Sequence, residues 1–210
     1  MKLSNPLKRS YSSDRRTQGA AATKEAVLMA ARDLFSRHGI DRVTVAQVGE
    51  RAGVAASTVY ALFKSKEGIL RELMQMALFG SKFRTAQSLL DGVTDPVRRL
   101  ELTAHIARAI YESESEELGL LRGASGFSPV LKNLEEEFES MRLNMQEERL
   151  RKLRAAKRLK ATLTFKEAQR LMWMYTSRDV YRMLVQQGGW TPERYQAWLA
   201  DTLVAELVRR

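Results

Sequence analysis

Apolar residues repeat at helical spacing near the start of the chain, between residues 24 and 38. The repeating positions follow the i, i+3, i+4, i+7, i+8 spacing of one helix face: Val27, Ala30, Ala31, Leu34 and Phe35. Thr23 can cap the start of such a helix, and Gly39 can end it. The pattern therefore predicts an amphipathic helix over residues 24–38 whose apolar face packs against other helices.

A second pattern predicts two short helices joined by a tight turn in residues 44–67, TVAQVGERAGVAASTVYALFKSKE. Thr44 and Gln47 have the spacing of a capping box. Gly53 stands where a chain that leaves a helix often needs a positive φ. Helix-turn-helix motifs have this arrangement, and their second helix enters the major groove of DNA. An ordinary αα-hairpin inside a helical core would show the same periodicity.

The surface of the second short helix favours the DNA-binding motif over the hairpin. Val59 and Leu62 form its i, i+3 apolar pair. The residues around that pair are small, and none is acidic: Ala55, Ala56, Ser57, Thr58 and Ala61. Small side chains let a helix lie deep in a groove, and Ser57 and Thr58 are the candidates for contacts with base edges. Phosphate contacts are expected from the polar residues around this helix: Thr44, Tyr60, Lys64 and Lys66.

The run from Thr23 to Leu73 resembles the DNA-binding domain of TetR/AcrR-type transcriptional regulators. The matching pieces are AARDLFSRHG (30–39), TVAQV (44–48), AGVAASTVYALF (52–63) and KSKEGIL (64–70). The chain departs from the family at Gly49, where alanine is more frequent, and at Ala61 and Leu62, where many members carry aromatic or histidine side chains. The resemblance implies a homodimeric repressor with a small-molecule pocket in its second domain, which releases a palindromic operator when an effector binds.

Basic charge is concentrated at the N-terminal end. The net charge is +10, and residues 1–66 hold twelve Lys or Arg and five Asp or Glu, which gives +7. This excess suits phosphate neutralisation. Residues 1–22 are basic, rich in serine and without an apolar period, so we expect a flexible arm. Its Arg15 and Arg16 can reach the minor groove or nearby phosphates, unless the arm is a terminus that contacts nothing.

The rest of the chain is predicted to be helical, which gives an all-α fold of about nine helices. A fourth helix begins after Ser65. Asp95-Pro96, Ser128-Pro129 and Thr191-Pro192 pair a capping residue with proline at a helix start, and Thr164 with Glu167 has capping-box spacing. The later helices are predicted over 96–112, 115–122, 129–158, 165–186 and 192–208. The predicted domains are the arm (1–22), the helix-turn-helix domain (23–68) and a ligand-binding and dimerisation domain (69–210).

The last two predicted helices carry more apolar residues than one small domain can easily cover. Segment 165–186 is apolar nearly all round, so it must be covered on several sides. We therefore expect dimer contacts across a two-fold axis from Tyr181, Tyr195, Trp198, Leu199, Thr202 and Leu203. The alternative is that helices of the same chain cover them completely.

Aromatic and methionine residues of the second domain are the candidates for the effector pocket that the resemblance implies. They are His105, Phe127, Phe138, Met141, Met145, Met172, Trp173 and Tyr175. Several recur at helical spacing, so any one of them can equally be a core residue. A pocket of this composition adapts to hydrophobic or amphipathic ligands.

One charged run in the second domain has two interpretations. Residues 149–160, RLRKLRAAKRLK, hold seven basic residues and no acid. Such a run is typical of the solvated end of a long helix. The other interpretation is that it attracts an anionic ligand or DNA.

The composition also limits the chemistry. The chain has no cysteine, which excludes disulfides and thiolate metal sites. It has no phosphate-binding glycine loop, GxSxG or HExxH motif, so we expect no enzyme, cofactor or metal. No apolar stretch approaches about 20 residues, and the N-terminus lacks a secretory signal core, so a soluble cytoplasmic protein without membrane contact is expected. A regulator controlled by a protein partner, without a small-molecule pocket, remains the alternative.

Overall fold

The structure is a computed structural model that describes the backbone of residues 6–125 and 128–209, and the side chains of 18–114 and 128–209. The helices are α1 Pro6–His38, α2 Val45–Ala52, α3 Ala56–Phe63, α4 Lys66–Phe79, α5 Ser81–Ser88, α6 Pro96–Glu101, α7 Thr103–Ser125, α8 Pro129–Ala155, α9 Phe165–Tyr175, α10 Arg178–Tyr181 and α11 Pro192–Leu207. A 3₁₀ turn covers Ile40–Arg42, and a π-helix covers Arg182–Gln187. The all-α class is confirmed, because the described residues contain no strand beyond one isolated bridge.

The N-terminal segment is helical from Pro6, so the helix start predicted at Thr23 is wrong. Thr23 lies inside α1, where its hydroxyl donates to the carbonyl oxygen of Gly19 at 2.8 Å. Residues 18–22 are exposed, and a solvated helix needs no apolar face. The absence of apolar periodicity was therefore a poor guide to the start of this helix.

Two of the later helices also differ from the prediction. No separate helix covers residues 115–122, because α7 continues through them to Ser125. The helix predicted over 165–186 is interrupted at Thr176 and Ser177. There the Ser177 hydroxyl accepts from the backbone N–H of Val180 at 3.3 Å and caps a new helix. Local hydrogen bonds of this kind compete with a continuous helix.

The chain divides into two compact units. The first is Met1–Leu73 with Leu120–Leu131, and the second is Met74–Gly119 with Lys132–Arg210. The domain boundary predicted between residues 68 and 69 falls within α4, and it remains a prediction. No helix in the part of the chain that the structure describes is long and apolar enough to cross a membrane.

The first unit is held together by the apolar face of α1. Val27, Ala31 and Phe35 are completely buried, and they are members of the predicted stripe. α2 contributes Val48, and α4 contributes Ile69, both without exposed surface. The predicted amphipathic face of residues 24–38 therefore forms this core.

The second unit has an aromatic centre that α7, α10 and α11 share. Tyr195 is completely buried, and its ring lies 4.9 Å from that of Tyr181 in an edge-to-face arrangement. The ring of Tyr111 lies 5.4 Å from Tyr181 on the other side. Burial raises the pKa of the Tyr195 phenol far above its usual value, and the neighbouring tyrosines add to the shift. This phenol therefore stays protonated.

Four of the six residues predicted to form the dimer interface belong instead to this aromatic core. Tyr181, Tyr195, Leu199 and Leu203 are buried in the same cluster, with at most 3% of their surface exposed. A second copy cannot reach them unless the core opens. Periodicity identified their apolar face correctly, but helices of the same chain cover it.

Gly68 provides a test of the packing between α3 and α4. A Cβ atom at this position would lie 1.9 Å from the Phe63 carbonyl oxygen. We therefore expect Gly68→Ala to lower the free energy of unfolding by about 1 to 3 kcal/mol, as measured by urea denaturation. Gly19→Ala is the matched control, because no atom lies within 4 Å of its added methyl group. Equal stability of the two variants would contradict this close packing.

Candidate DNA-binding site

Hydrogen bonds fix both ends of α2, and those at its C-terminal end form the turn to α3. Gln47 donates its backbone N–H to the Thr44 hydroxyl at 3.2 Å, and its Oε1 accepts from the Thr44 N–H at 2.8 Å. The predicted capping box is thus confirmed. At the other end Gly53 has φ 70°, and the Val54 N–H donates to the Gly49 carbonyl at 2.9 Å. A methyl group on Gly49 would lie 2.9 Å from the Val54 carbonyl oxygen, so glycine suits this turn.

α3 buries one face and exposes an uncharged one. Val59 and Phe63, four residues apart, are 1% and 5% exposed. Leu62, predicted as the buried partner of Val59, is instead 37% exposed. The exposed residues of α3 also include Ser57 and Tyr60, and the helix contains no acidic residue. A helix that is eight residues long and free of carboxylates can enter a DNA groove without repelling phosphate.

The turn from α3 to α4 is a strained three-residue turn centred on Lys64. Lys64 has φ 67° and ψ −39°, and the Ser65 N–H donates to the Phe63 carbonyl at 2.8 Å. A γ-turn with positive φ is rare for a residue with a side chain. The turn places the exposed Lys64 side chain at the C-terminal end of α3, where a cation can meet a phosphate.

Ser65 and Glu67 stabilise the first turn of α4. The Ser65 hydroxyl oxygen accepts from the Gly68 N–H at 3.1 Å. The pKa of the Glu67 carboxyl is lowered mainly by a hydrogen bond from the Ser65 side chain, and next by a hydrogen bond from the backbone N–H of Glu67. Lys66 is half-buried, and its Nζ lies 3.5 Å from the Asp41 carbonyl oxygen, which is a weak contact.

Not every predicted phosphate contact is supported by the geometry. Both donors of Thr44 are occupied in the capping box, since its hydroxyl lies 3.1 Å from Gln47 Oε1 and its N–H donates to the same oxygen. Thr44 is therefore a helix cap and not a free donor. Arg15 and Arg16 lie within α1, and their side chains fall outside the described residues.

Asp33 joins α1 to α2, and sequence reasoning missed this contact. Its carboxylate lies 2.7 Å from Arg37 Nε and 3.0 Å from Arg51 Nη2. The i, i+4 spacing of Asp33 and Arg37 could have been read from the sequence. The contact with Arg51 links residues 18 apart, and only the tertiary structure brings them together.

The predicted effector-pocket residues of the second unit lie in different surroundings. Met172 is completely buried in the aromatic core, so it is a structural residue. Phe138 is buried against Phe79, with ring centroids 5.9 Å apart, whereas Met141 is 39% exposed and Met145 is half-buried. Phe127 lies outside the described residues. The effector pocket therefore remains a prediction.

Trp173 and Tyr175 belong to two separate networks. The Trp173 indole N–H donates to Glu139 Oε2 at 3.0 Å, and the Arg142 guanidinium lies over its ring at 5.4 Å. Tyr175 packs edge-to-face against Trp198, with centroids 6.3 Å apart. Both residues are half-buried.

The surroundings of His105 favour the neutral form of its imidazole. Burial lowers the pKa of its imidazole, and the charges of Arg98 and Arg108 add to the shift. Its Nε2 lies 3.3 Å from Gln196 Nε2, so an unprotonated Nε2 can accept from that amide. His105 is therefore a polar link between α7 and α11.

The basic run 149–160 is only partly the solvated helix end that its composition suggested. Arg151, Lys152 and Arg154 are exposed, but Arg149 retains only 9% of its accessible surface. Leu150 and Leu153 alternate with charged residues in this run, so the sequence pattern did not indicate that Arg149 is buried.

Known proteins with similar sequences support a DNA-binding role for the first unit. Residues 27–73 match the family described as bacterial regulatory proteins, tetR family. The HTH-type transcriptional repressor KstR2 of Mycolicibacterium smegmatis is 30% identical over 80 residues, which cover 38% of this chain and 38% of that repressor. The chain thus matches well under two thirds of this relative's length.

Solved structures extend the similarity to the whole fold. NalD, the secondary repressor of the MexAB-OprM multidrug efflux pump in Pseudomonas aeruginosa, superimposes with a TM-score of 0.69 at 21% identity, over 91% of this chain and 98% of NalD. The complex of SmeT with triclosan gives 0.61 at 22% identity, over 90% and 92% of the two chains. SmeT is the repressor of the Stenotrophomonas maltophilia efflux pump SmeDEF. At these identities the similarity establishes the fold alone.

The strained turn predicts different stabilities for two substitutions that remove the same ammonium group. Lys64→Gly relieves the positive φ of 67°, whereas Lys64→Ala keeps a Cβ in that conformation. We expect the glycine variant to be more stable than the alanine variant by about 0.5 to 1 kcal/mol, after allowing for the larger entropy of unfolded glycine. Thermal or urea unfolding measures the difference. A less stable glycine variant would rule out strain at this residue.

Proposed function

We propose that the chain is a homodimeric, ligand-responsive transcriptional repressor, and the premise is that its residues 27–73 match the tetR family of bacterial regulatory proteins. In this proposal it binds a palindromic operator and releases it when a small hydrophobic or amphipathic molecule binds. The single observation that carries the proposal is the acid-free, exposed face of α3 with lysines at its C-terminal end.

Each DNA contact is proposed from the position of its residue. Ser57 and Thr58 lie in the first turn of α3, the part of a recognition helix that reaches base edges. Tyr60, which is 52% exposed, together with Lys64 and Lys66, contacts phosphates. Base contacts set the sequence preference, and phosphate contacts set the affinity and its dependence on salt.

A dimer would give this small recognition surface its specificity. Two recognition helices about 34 Å apart enter successive major grooves on one face of the duplex. The last helices remain the proposed interface, although four of their residues are core residues. Trp198 and Thr202 are half-buried, and Met174 and Met183 are 44% and 50% exposed. Exposed methionines of this size are suited to burial in an interface.

Effector binding would act by selecting between two conformations of the dimer. A ligand shifts such an equilibrium only by its difference in affinity for the two states. The proposed effector therefore binds the state in which the recognition helices do not fit successive grooves. Triclosan in the SmeT complex is a precedent for an apolar ligand on this fold.

Lys66 tests the proposed DNA interface without knowledge of the operator. We expect Lys66→Ala to weaken binding to mixed-sequence duplexes and to reduce the slope of log K against log salt by about one unit. Fluorescence anisotropy across a salt series measures this slope. Lys132→Ala is the control, because Lys132 is exposed on α8 and its Nζ lies 3.9 Å from Glu136 Oε1. An unchanged slope for Lys66→Ala would remove Lys66 from the interface.

Met183 tests the proposed dimer interface. Met183→Glu places a charge in the interface, which is costly to bury, so we expect it to shift the protein from dimer to monomer. Sedimentation velocity over a concentration series measures the shift. Met76→Glu is the control, because Met76 is 52% exposed on α4 and should leave the dimer intact. A wild-type monomer, or dissociation by both substitutions alike, would contradict the interface.

A further inference from the structure

The end of α8 carries positive charge that the proposed function does not use. α8 ends at Ala155, and Lys157 follows it with φ 56°. The Arg158 N–H donates to the Leu153 carbonyl oxygen at 3.1 Å, and the Lys157 N–H donates to that of Arg154 at 2.9 Å. These two bonds form a Schellman motif, in which glycine is favoured at the left-handed position and an apolar residue at the next one. Exposed cations occupy both positions here.

The C-terminal end of the second unit places a third cation beside them. Leu159 and Val208 pair as an antiparallel bridge, and the Arg209 N–H donates to the Arg158 carbonyl oxygen at 2.7 Å. In such a pairing Arg158 lies directly opposite Arg209, and successive side chains point to opposite faces. Val208 is buried, whereas Arg158 and Arg209 are both exposed. Like charges that lie directly opposite each other destabilise the pairing of two strands.

Residues 157–160 and 207–209 are joined by this bridge, and we call them the C-terminal clamp. Within the described part of the chain, the side chains of Lys157, Arg158 and Arg209 form no hydrogen bond or ion pair. No large apolar side chain of the clamp is exposed, because its leucines and its valine pack in the aromatic core of the second unit. The clamp is therefore a charged surface without an apolar anchor.

The carboxylates nearest along the chain do not balance this charge. Glu148 Oε1 lies 2.7 Å from Lys152 Nζ. Glu167 accepts from the backbone N–H and the hydroxyl of Thr164, at 2.7 Å each, in the capping box of α9. Glu206 is half-buried, and it forms no ion pair with any residue that the structure describes. The cations of the clamp are thus available to an anion from outside the chain.

We propose that the C-terminal clamp binds phosphate groups of duplex DNA through Lys157, Arg158 and Arg209. Guanidinium and ammonium groups bind phosphate oxygens with charge-assisted hydrogen bonds, and exposed cations without apolar side chains suit a polyphosphate backbone. An anionic membrane is bound more strongly when apolar side chains enter the lipid, and the clamp offers none. The choice of DNA rests on the proposed repressor function, whereas the unbalanced charge of the clamp does not.

Paired substitutions measure how much the clamp contributes to DNA binding. We expect Arg158→Gln combined with Arg209→Gln to bind mixed-sequence duplexes more weakly, and to reduce the slope of log K against log salt by about two units, since two phosphate contacts are lost. Fluorescence anisotropy of a labelled duplex with the purified full chain measures this slope. The matched control is Arg151→Gln combined with Lys152→Gln, which removes two charges that carboxylates of α8 already pair with.

The control separates a binding site from a general effect of net charge, because both double variants lose two charges. A loss of slope in the clamp variant, with a slope close to that of wild type in the control, supports the proposal. Equal losses in the two double variants would show that only net charge matters. A clamp variant with the slope of wild type would remove the clamp from the DNA interface. Either of the last two results overturns the proposal.

A charge-retaining variant separates the loss of a contact from a folding defect. Arg158→Lys combined with Arg209→Lys keeps both charges and should keep the salt slope of wild type. Thermal unfolding of the glutamine variant is the second measurement. Its unfolding temperature should not fall, because two opposed like charges are removed. A lysine variant that loses as much slope as the glutamine variant would overturn the proposal.

Lys157 provides a test in which stability and DNA affinity change in opposite directions. Lys157→Gly relieves the positive φ of 56° and places the favoured residue at the helix end, so we expect a higher unfolding temperature. The same substitution should reduce the salt slope by about one unit. A more stable variant with the slope of wild type would show that Lys157 only ends the helix, and it would contradict the proposed phosphate contact.

Lys66→Ala, measured beside the clamp variant, separates this proposal from the repressor function. If Lys66→Ala lowers the slope and the clamp variant does not, the α3 interface stands and the clamp proposal falls. If only the clamp variant lowers it, the clamp stands and the assignment of Lys66 falls. Sedimentation with vesicles of mixed phosphatidylserine and phosphatidylcholine tests lipid as the partner. Loss of vesicle binding in the clamp variant, together with an unchanged DNA slope, would assign the clamp to membranes and overturn the proposal.

Discussion

The backbone between α3 and α4 has almost no freedom, because one carbonyl oxygen serves two contacts. The Phe63 oxygen accepts from the Ser65 N–H at 2.8 Å, and it lies so close to Gly68 that any Cβ there would come within 1.9 Å. Lys64 takes a positive φ to complete this turn. α3 leads into this turn with Val59 buried, at 1% exposure. The proposed DNA contacts thus depend on a backbone constraint outside the residues that make them.

A different constraint acts in the second unit, where polar side chains inside a helical core need hydrogen-bond partners. Arg142 and Gln146 meet at the Thr176 hydroxyl, which in turn donates to the Met172 carbonyl at 2.7 Å. This network lies at Thr176, where the helix predicted over residues 165–186 is interrupted. The interruption therefore provides hydrogen-bond partners for α8.

Local rules predicted most capped helix starts, although not those at Thr23 and residue 115, because a cap depends on residues three positions apart. The Thr44 and Thr164 capping boxes and the proline starts at residues 96, 129 and 192 are all present. Short apolar patterns were less reliable. In a helix of two turns, Leu62 and Phe63 both fall near the face of Val59, and periodicity chose the wrong one. The dimerisation residues failed for a related reason, since an apolar face does not say which chain covers it.

The sequence by itself determined the helical class, the capped helix-turn-helix and the concentration of basic charge near it, because these depend on neighbouring residues and on composition. It also identified the charge of the run 149–160, but not that one of its arginines is withdrawn from water. Only the tertiary structure decided that Tyr195 and Leu199 are core residues, that both donors of Thr44 are used in its capping box and that Arg149 retains only 9% of its accessible surface. Burial and hydrogen-bond satisfaction depend on residues distant in the chain, and no local pattern encodes which of them meet.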